Sequence, residues 1–405
     1  MSRDICILSV ILKERFDTFR FLKLNPLVYI TGLVSLFTDL SSQMIVPLLP
    51  LFLVSVLHSQ IGNVGLIEGF AASIASVLKL FSGWISDRIG NRKWLMVAGY
   101  GISNIVKPFF AVSSSWEQVF ILRFVERIGK GVRGAPRDAL IADAINTTER
   151  GKAFGFHRAM DTFGGAVGPF LAFIILLIHP GGYRTVFWFS VIPGIIAIFV
   201  ILAFLKEPQK PKSEKSRKSL LKITFRGLDD RLVRFTLIAT LFAIGNSSDA
   251  FLILRAQNVG IAIALIPLMY FVFNITYSLA SVPIGSLSDR IGRRSVLIGG
   301  YVIFGLIYLG FGGAHKGIWI WLLFIVYGLY YAATEGVQKA YIGDLAREGQ
   351  RGTAMGAFNA LTGLAALPAS IVPGYLWQAF GATVAFGYST IIALTAAFFM
   401  MVLRA

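Results

Sequence analysis

The sequence predicts an all-α integral membrane protein with twelve transmembrane helices, arranged as two pseudo-symmetric six-helix bundles. Three observations support this prediction: the composition, the spacing of the apolar stretches, and a repeat of the first half of the chain in the second. Of the 405 residues, 56% are hydrophobic and 15% are charged, and the mean hydropathy is +0.71. Soluble domains carry about 25% charged residues. The composition therefore excludes a soluble multi-domain enzyme.

Twelve apolar stretches are long enough to cross a bilayer, because about 20 helical residues span a hydrocarbon core of about 30 Å. They lie near 27–54, 61–82, 95–113, 116–144, 152–178, 184–205, 232–256, 261–284, 295–313, 317–344, 352–376 and 380–403. The chain then divides into an interfacial or cytoplasmic N-terminal segment, two bundles and a linker: 1–24, 25–205, 206–231 (the linker) and 232–405.

The net charge of +17 is concentrated in the loops that follow the even-numbered spans. Ten Lys and Arg residues lie between Lys206 and Arg234 alone. Short loops rich in Lys and Arg are typical of the cytoplasmic side. We therefore expect both termini to be cytoplasmic, in a bacterial inner membrane, and we expect the charge to serve the membrane topology rather than nucleic-acid binding.

The two halves of the chain share sequence at a nearly constant offset. The stretch 83–93 recurs at 285–294, and Asp143 in the fourth span corresponds to Asp344 in the tenth. Repeats of this parallel kind place a binding site at the interface between the halves, near the middle of the bilayer. The sequence therefore predicts a central site to which both halves contribute.

The repeated stretch resembles the loop motif G-x-x-x-D-R-x-G-x-[RK]-[RK] of the major facilitator superfamily. Residues 123–131 are similar to the arginine motif in the fourth helix of that superfamily, with Glu126 and Arg127 at positions that usually hold an amide and a glycine. The resemblance covers all twelve spans. It implies a secondary active transporter that works by alternating access.

Two further patterns are similar to subgroups of this superfamily. The fifth-span glycines and neighbours follow an antiporter motif, with alanine where its last glycine pair begins: Gly155, Gly164, Gly168, Pro169 and Ala172. The run E-R-x-G-K-G-x-R-x-x-P-R-D-A-L from Glu126 to Leu140 resembles a bacterial subgroup described as efflux proteins. Both resemblances imply export.

The fourth span carries ionisable residues on one side, within an arc of about 140° at 100° per residue. These are five cations and two carboxylates: Arg123, Glu126, Arg127, Lys130, Arg133, Arg137 and Asp138. Charged side chains at membrane depth are costly unless they face water or are paired. The stripe therefore predicts an aqueous cavity that favours anions, and the alternative is that individual members pair to hold helices together.

Further ionisable and polar residues occur in the other spans, and we assign them to three roles. Those predicted to bind substrate are Lys79, Lys107, Arg127, Lys130, Arg133, Arg137, His157, Arg158, Arg255, Asn274, Gln338 and Lys339. Those predicted to bind protons, with Asp39 and Asp249 favoured, are Asp39, Glu68, Glu126, Asp161, Asp249 and Glu335. Those predicted to gate the cytoplasmic end, with Arg88 and Arg290 facing Asp143 and Asp344, are Asp87, Arg88, Asp143, Asp289, Arg290 and Asp344.

The leading hypothesis is a monomeric, proton-coupled transporter of a small polar or anionic solute, with export slightly favoured. The alternatives are an importer of a metal-chelating carboxylate and an exporter of a divalent metal. The His157 and Asp161 pair alone is weak evidence for a metal site. We therefore predict no cofactor and no resident metal. The sequence offers no nucleophile with its base and no phosphate-binding loop, so we do not expect an enzyme.

Overall fold

The structure, a computed structural model, describes residues 24–89, 92–143, 145, 150–205, 229–347 and 350–403. Within these residues the only regular secondary structure is helical. Nearly all of the predicted N-terminal segment and of the basic linker lies outside the described residues, as does the side chain of Asp87. The predicted domain boundary at 206–231 therefore stays a prediction.

Fifteen helices form the described part of the chain. In the first half they are α1 (Pro26–Ile45), α2 (Leu49–Ser55), α3 (Ile61–Ile89), α4 (Arg92–Ile105), α5 (Lys107–Val112), α6 (Trp116–Asp143), α7 (Arg150–Ile178) and α8 (Tyr183–Phe204). In the second half they are α9 (Asp230–Gly245), α10 (Asp249–Asn258), α11 (Leu265–Ile291), α12 (Arg293–Gly313), α13 (Gly317–Leu345), α14 (Arg351–Phe380) and α15 (Ala382–Val402).

Among the described residues, eleven of the twelve predicted spans form helices that are long and apolar enough to cross a membrane. The remaining span is α6, a helix of 28 residues that carries the predicted charged stripe. It packs against α3 and α4, so neighbouring helices shelter its ionisable side chains. The all-α prediction is confirmed, and α6 is the span whose charges set it apart from the other eleven.

Three spans are each built from two consecutive helices. The first is interrupted between α1 and α2 beside Pro47, and the third between α4 and α5 beside Pro108. The seventh is interrupted at 246–248, where Ser248 caps α10 by accepting a hydrogen bond from the backbone N–H of Ala250. An interruption at membrane depth is tolerated where it lines a cavity or is buried in protein.

Each half of the chain packs mainly within itself. In the first half α1 packs against α7 and α8, and in the second half α12 packs against α13 and α15. The larger contacts between the halves are made by α3 with α14 and by α7 with α11. This arrangement leaves a space between the halves that α1, α3, α6 and α10 border.

Glycines in α7 allow that helix to approach α1 closely. A Cβ atom on Gly164 would lie 2.4 Å from the carbonyl oxygen of Leu36, and one on Gly168 would lie 2.6 Å from that of Leu40. The next residue, Gly165, has no atom within 4 Å of its Cβ position. The predicted close helix contact is confirmed at Gly164 and Gly168.

Replacing Gly164 with Ala is expected to lower the free energy of unfolding by about 1–3 kcal/mol, because the new methyl group forces α1 and α7 apart. Gly165→Ala is the matched control, one residue along the same helix, and we expect it to leave stability unchanged or slightly raised. Thermal unfolding of the two purified variants in detergent provides the comparison. Equal unfolding temperatures for the two variants would contradict this prediction, because they would show that α1 and α7 can move apart without loss of stability.

Candidate functional site

A cavity of about 410 Å³ lies between the two halves of the chain. The first half contributes charged and polar residues from α1, α3, α4 and α6: Asp39, Ser42, Gln43, Glu68, Ser103, Arg123, Glu126, Arg127, Lys130 and Arg133. The second half contributes hydroxyl, amide and carboxylate groups: Asn246, Ser247, Ser248, Asp249, Tyr270, Tyr331 and Ser370. Both halves therefore contribute to one central site.

Arg123 is bound to two carboxylates at one wall of the cavity. Its Nη1 donates to Glu126 at 2.6 Å, and its Nε and Nη2 donate to the two oxygens of Glu68 at 3.1 and 3.2 Å. The Arg123 side chain is only 2% exposed. These pairs join α3 to α6, so this part of the stripe serves the structural role that the sequence left open.

Three cations of α6 line the cavity without any carboxylate at ion-pair distance among the described residues: Arg127, Lys130 and Arg133. Arg133 is 5% exposed and its guanidinium lies over the ring of Tyr100, 4.3 Å from the centroid. Its Nη1 and the Nε of Arg127 are buried and have no hydrogen-bond partner in the described part of the chain. A charged donor left unpaired in this way is costly unless a ligand supplies the acceptor.

On the opposite wall, three tyrosine hydroxyls surround the carboxylate of Asp249. Tyr327 and Tyr331 donate to Oδ1 at 2.7 and 3.3 Å, and Tyr270 donates to Oδ2 at 3.1 Å. Asp249 is also the first residue of α10, where a negative charge is favoured by the free backbone N–H groups. These contacts hold Asp249 in a fixed position facing the cavity.

Several predicted site residues of the first half lie outside the cavity lining. Lys107 is fully buried, and its Nζ donates to Ser41 at 2.7 Å and to Asn104 at 2.8 Å. Arg137 and Asp138 form an ion pair with each other at 2.9 Å. Lys107 and Arg137 were predicted to bind substrate, but in this structure their donors are used within the protein.

His157 and Asp161 also lie outside the lining, in a polar cluster between α1 and α7. His157 Nδ1 is 3.6 Å from an oxygen of Asp161, and Asp161 accepts a hydrogen bond from Ser35. Arg137 donates to the same hydroxyl at 3.2 Å. Among the residues that the structure describes, no group of three potential metal ligands occurs.

The remaining substrate-binding predictions also concern residues outside the lining. Arg255 donates to the carbonyl oxygens of Phe311, Gly312 and Ala314, so it fastens α10 to the end of α12. Those that bond to neighbouring protein groups are Arg158 (to Tyr277, 2.9 Å), Asn274 (to the Tyr270 carbonyl, 2.8 Å), Gln338 (to Tyr301, 3.1 Å) and Lys339 (to Glu335, 2.5 Å). Lys79 is exposed and packs beside Gly134 of α6.

The two predicted gate regions each contain an ion pair within one half of the chain. Arg92 pairs with Asp143, and Arg293 pairs with Asp344 and also with Asp289 at 3.2 Å. In this structure Asp344 pairs with Arg293 rather than with Arg290, so the predicted contact between Arg290 and Asp344 stays a prediction. The chain turns at Gly292, which has a φ of +91°, so Arg293 begins α12 next to the end of α13.

At the end of the bundle away from these pairs, the two halves are joined by uncharged hydrogen bonds. Gln257 donates to Ser55 at 2.7 Å. The backbone N–H of Gly62 donates to Gln378 at 3.2 Å, and Gln378 donates to Gln60 at 3.0 Å. We call this group the glutamine seal. The ion pairs described above, at the other end, each lie within one half of the chain.

Sequence reasoning missed the tyrosines around Asp249. No role was assigned to the aromatic side chains of the second half, but Tyr270 and Tyr327 are buried there and donate hydrogen bonds to Asp249. Their hydroxyl groups need polar partners when buried. Three tyrosines lie within about one helical turn of the tenth span, at positions 327, 330 and 331. This cluster of hydroxyl groups in an apolar span was the signal that the sequence offered.

A helical membrane protein with a charged cavity between two repeated halves has the architecture of a membrane transporter. The sequence matches the Major Facilitator Superfamily over residues 31–254 and again over 235–405. An uncharacterized MFS-type transporter of Methanocaldococcus jannaschii is 38% identical over 366 residues, which cover 88% of this chain and 89% of that protein. The chain therefore belongs to the Major Facilitator Superfamily.

Two other similar proteins have more specific names. A probable 4-methylmuconolactone transporter of Cupriavidus pinatubonensis is 26% identical over 249 residues, covering 57% of this chain and 56% of that protein. The crystal structure of the nucleoside transporter NupG superposes with a TM-score of 0.76 at 15% identity, covering 94% of this chain and 99% of that one. The second likeness concerns the fold alone.

Proposed function

We propose that this transporter moves a small organic anion through the central cavity and that the movement is coupled to protons. The single observation that carries the proposal is the set of cavity cations without carboxylate partners, Arg127, Lys130 and Arg133. A solute carboxylate would supply the missing acceptor, and charged hydrogen bonds of this kind contribute about 1.5–3 kcal/mol each. The size of the cavity suits a compact solute, since ligand sites for drug-sized molecules begin at about 300 Å³.

Proton coupling is supported by the carboxylates that line the same cavity, Asp39, Glu68, Glu126 and Asp249. Ionisable groups inside a membrane protein mark ion and proton pathways when they face an aqueous cavity. Export, which the fifth-span glycines favour, stays a prediction. The 4-methylmuconolactone named for one similar protein carries a carboxylate, and we propose it as a first test solute.

The proposal is tested with the full chain reconstituted in liposomes under a pH gradient. We expect at least one of five labelled carboxylates (acetate, lactate, succinate, benzoate and 4-methylmuconolactone) to accumulate against its own gradient, and accumulation to cease when a protonophore collapses the pH gradient. Benzylammonium and benzamide, which match benzoate in size, serve as cationic and neutral controls. Accumulation that survives the protonophore, or that favours benzylammonium, would count against the proposal.

A further inference from the structure

Asp39 differs from the other three carboxylates in the cavity. Glu68 and Glu126 are both paired with Arg123, and Asp249 accepts hydrogen bonds from three tyrosines. Asp39 lines the same cavity, and in the part of the chain that the structure describes its carboxylate has neither a hydrogen bond nor an ion pair. It is therefore the cavity carboxylate whose protonation breaks no existing contact.

Lys130 and Arg133 of α6 line the cavity together with Asp39. Further titratable groups lie on helices that bond to hydroxyl groups of α1, the helix of Asp39: Lys107 on α5, Arg137 on α6, and the paired His157 and Asp161 on α7. Lys107, Arg137 and Asp161 already have partners within the protein. Lys130 and Arg133 line the same cavity as Asp39, so these two cations can interact with both the carboxylate and a solute bound there.

An anion in the cavity and an ionised Asp39 therefore compete for the same two cations. The ionised carboxylate partly neutralises Lys130 and Arg133, and it repels a second negative charge placed beside it. Protonation of Asp39 removes both effects. Conversely, an anion bound to Lys130 and Arg133 neutralises their positive charge and places a negative charge near Asp39. It therefore favours the protonated form of Asp39.

We infer that Asp39 makes proton and organic anion bind to this cavity together, so that the two move across the membrane in the same direction. This inference rests on the proposed function. It adds the residue that binds the proton and the relative direction in which the proton and the anion move. The proton goes to a carboxylate oxygen of Asp39, and the anion occupies the space next to Lys130 and Arg133. Exchange of a proton for an anion, which the antiporter-like glycines of α7 favour, requires the opposite linkage.

The linkage is measurable by binding alone, with the purified full chain in detergent. The probes are acetate, lactate, succinate, benzoate and 4-methylmuconolactone, each tested over a pH range in which the probe stays ionised. For wild-type protein we expect the dissociation constant to rise with pH by up to about tenfold for each unit over the range in which Asp39 loses its proton. In weakly buffered solution, and at a pH at which Asp39 is ionised in the free protein, binding should also take up as much as one proton for each anion bound.

The variant Asp39→Asn mimics the protonated carboxyl group, so we expect it to bind the same anion with an affinity that no longer depends on pH and without proton uptake. The matched control is Glu117→Gln, which alters an exposed carboxylate in the first turn of α6. It should keep the dependence of the wild type. Thermal unfolding confirms that each variant is folded, and the proton-uptake measurement on wild-type protein stands independently of the variants.

The possible results separate the inference from the proposed function. Anion binding that is equal at all pH values, or tighter at high pH, would overturn the inference while leaving an anion transporter. A pH dependence that persists in Asp39→Asn would assign the proton to another group, such as His157 or Lys130, and would also overturn it. Failure of all five carboxylates to bind would reject the proposed function itself.

Discussion

Replacing Arg123 with Ala is expected to destabilise the protein more than any other single change considered for this site. Arg123 is 2% exposed and is paired with both Glu68 and Glu126. Its removal leaves two carboxylates at the cavity wall without their cation, and breaking a buried pair costs about 3–5 kcal/mol. Since α3 and α6 are joined through these pairs, we expect a poor yield of folded protein and a lowered unfolding temperature.

The cause of this loss of stability can be tested by also neutralising the two carboxylates that Arg123→Ala leaves unpaired. The triple change Arg123→Ala, Glu68→Gln and Glu126→Gln should recover part of the lost stability, because neutral amides do not require a cation. Arg123→Lys keeps the charge but not the planar fork that reaches both carboxylates, so an intermediate result is expected. If the single variant unfolds at the wild-type temperature, the Arg123 pairs do not hold α3 to α6.

Arg127→Gln is expected to have the largest effect on transport without a comparable effect on stability. Arg127 lines the cavity, and its Nε has no hydrogen-bond partner in the described part of the chain. The side chain therefore contributes little to internal pairing. Loss of one charged hydrogen bond to an anion weakens binding by about 1.5–3 kcal/mol, which corresponds to about tenfold to a hundredfold in affinity.

The measurement is the concentration of a carboxylate probe that gives half-maximal uptake in liposomes. Arg127→Lys should retain part of the affinity because it keeps the positive charge. Arg231→Gln is the matched control, since Arg231 is exposed at the start of α9 and outside the cavity. Unchanged uptake by Arg127→Gln, or equal losses in both glutamine variants, would contradict an anion site at Arg127.

The fold was predictable from sequence because its signals are local or repeated. Apolar length fixes the spans, and the recurrence of 83–93 at 285–294 predicts two similar halves. The sequence analysis identified the fourth span in spite of its charges. Because of those charges, α6 is not among the eleven helices of the structure that are apolar enough to cross a membrane. The repeat also placed the site between the halves, where the cavity lies.

The roles of single residues were less predictable, because helical periodicity gives a direction but not a partner. Arg123, Arg127 and Arg137 share one side of α6 in the sequence, but the structure gives each a different environment. Arg123 meets Glu68 of another helix, Arg137 bonds to its neighbour Asp138, and Arg127 faces the cavity. Which side chains pair across helices depends on the depth of each residue in the membrane and on the rotation of each helix about its axis. Neither can be derived from a short stretch of sequence.

The glutamine seal has a consequence for how the transporter changes its conformation. Its members, Ser55, Gln60, Gln257 and Gln378, carry no net charge. When such hydrogen bonds open, water replaces the lost partners, so each costs only about 0.5–1.5 kcal/mol. We therefore expect the opening of the glutamine seal to depend little on ionic strength, because salt screens charges and these side chains carry none.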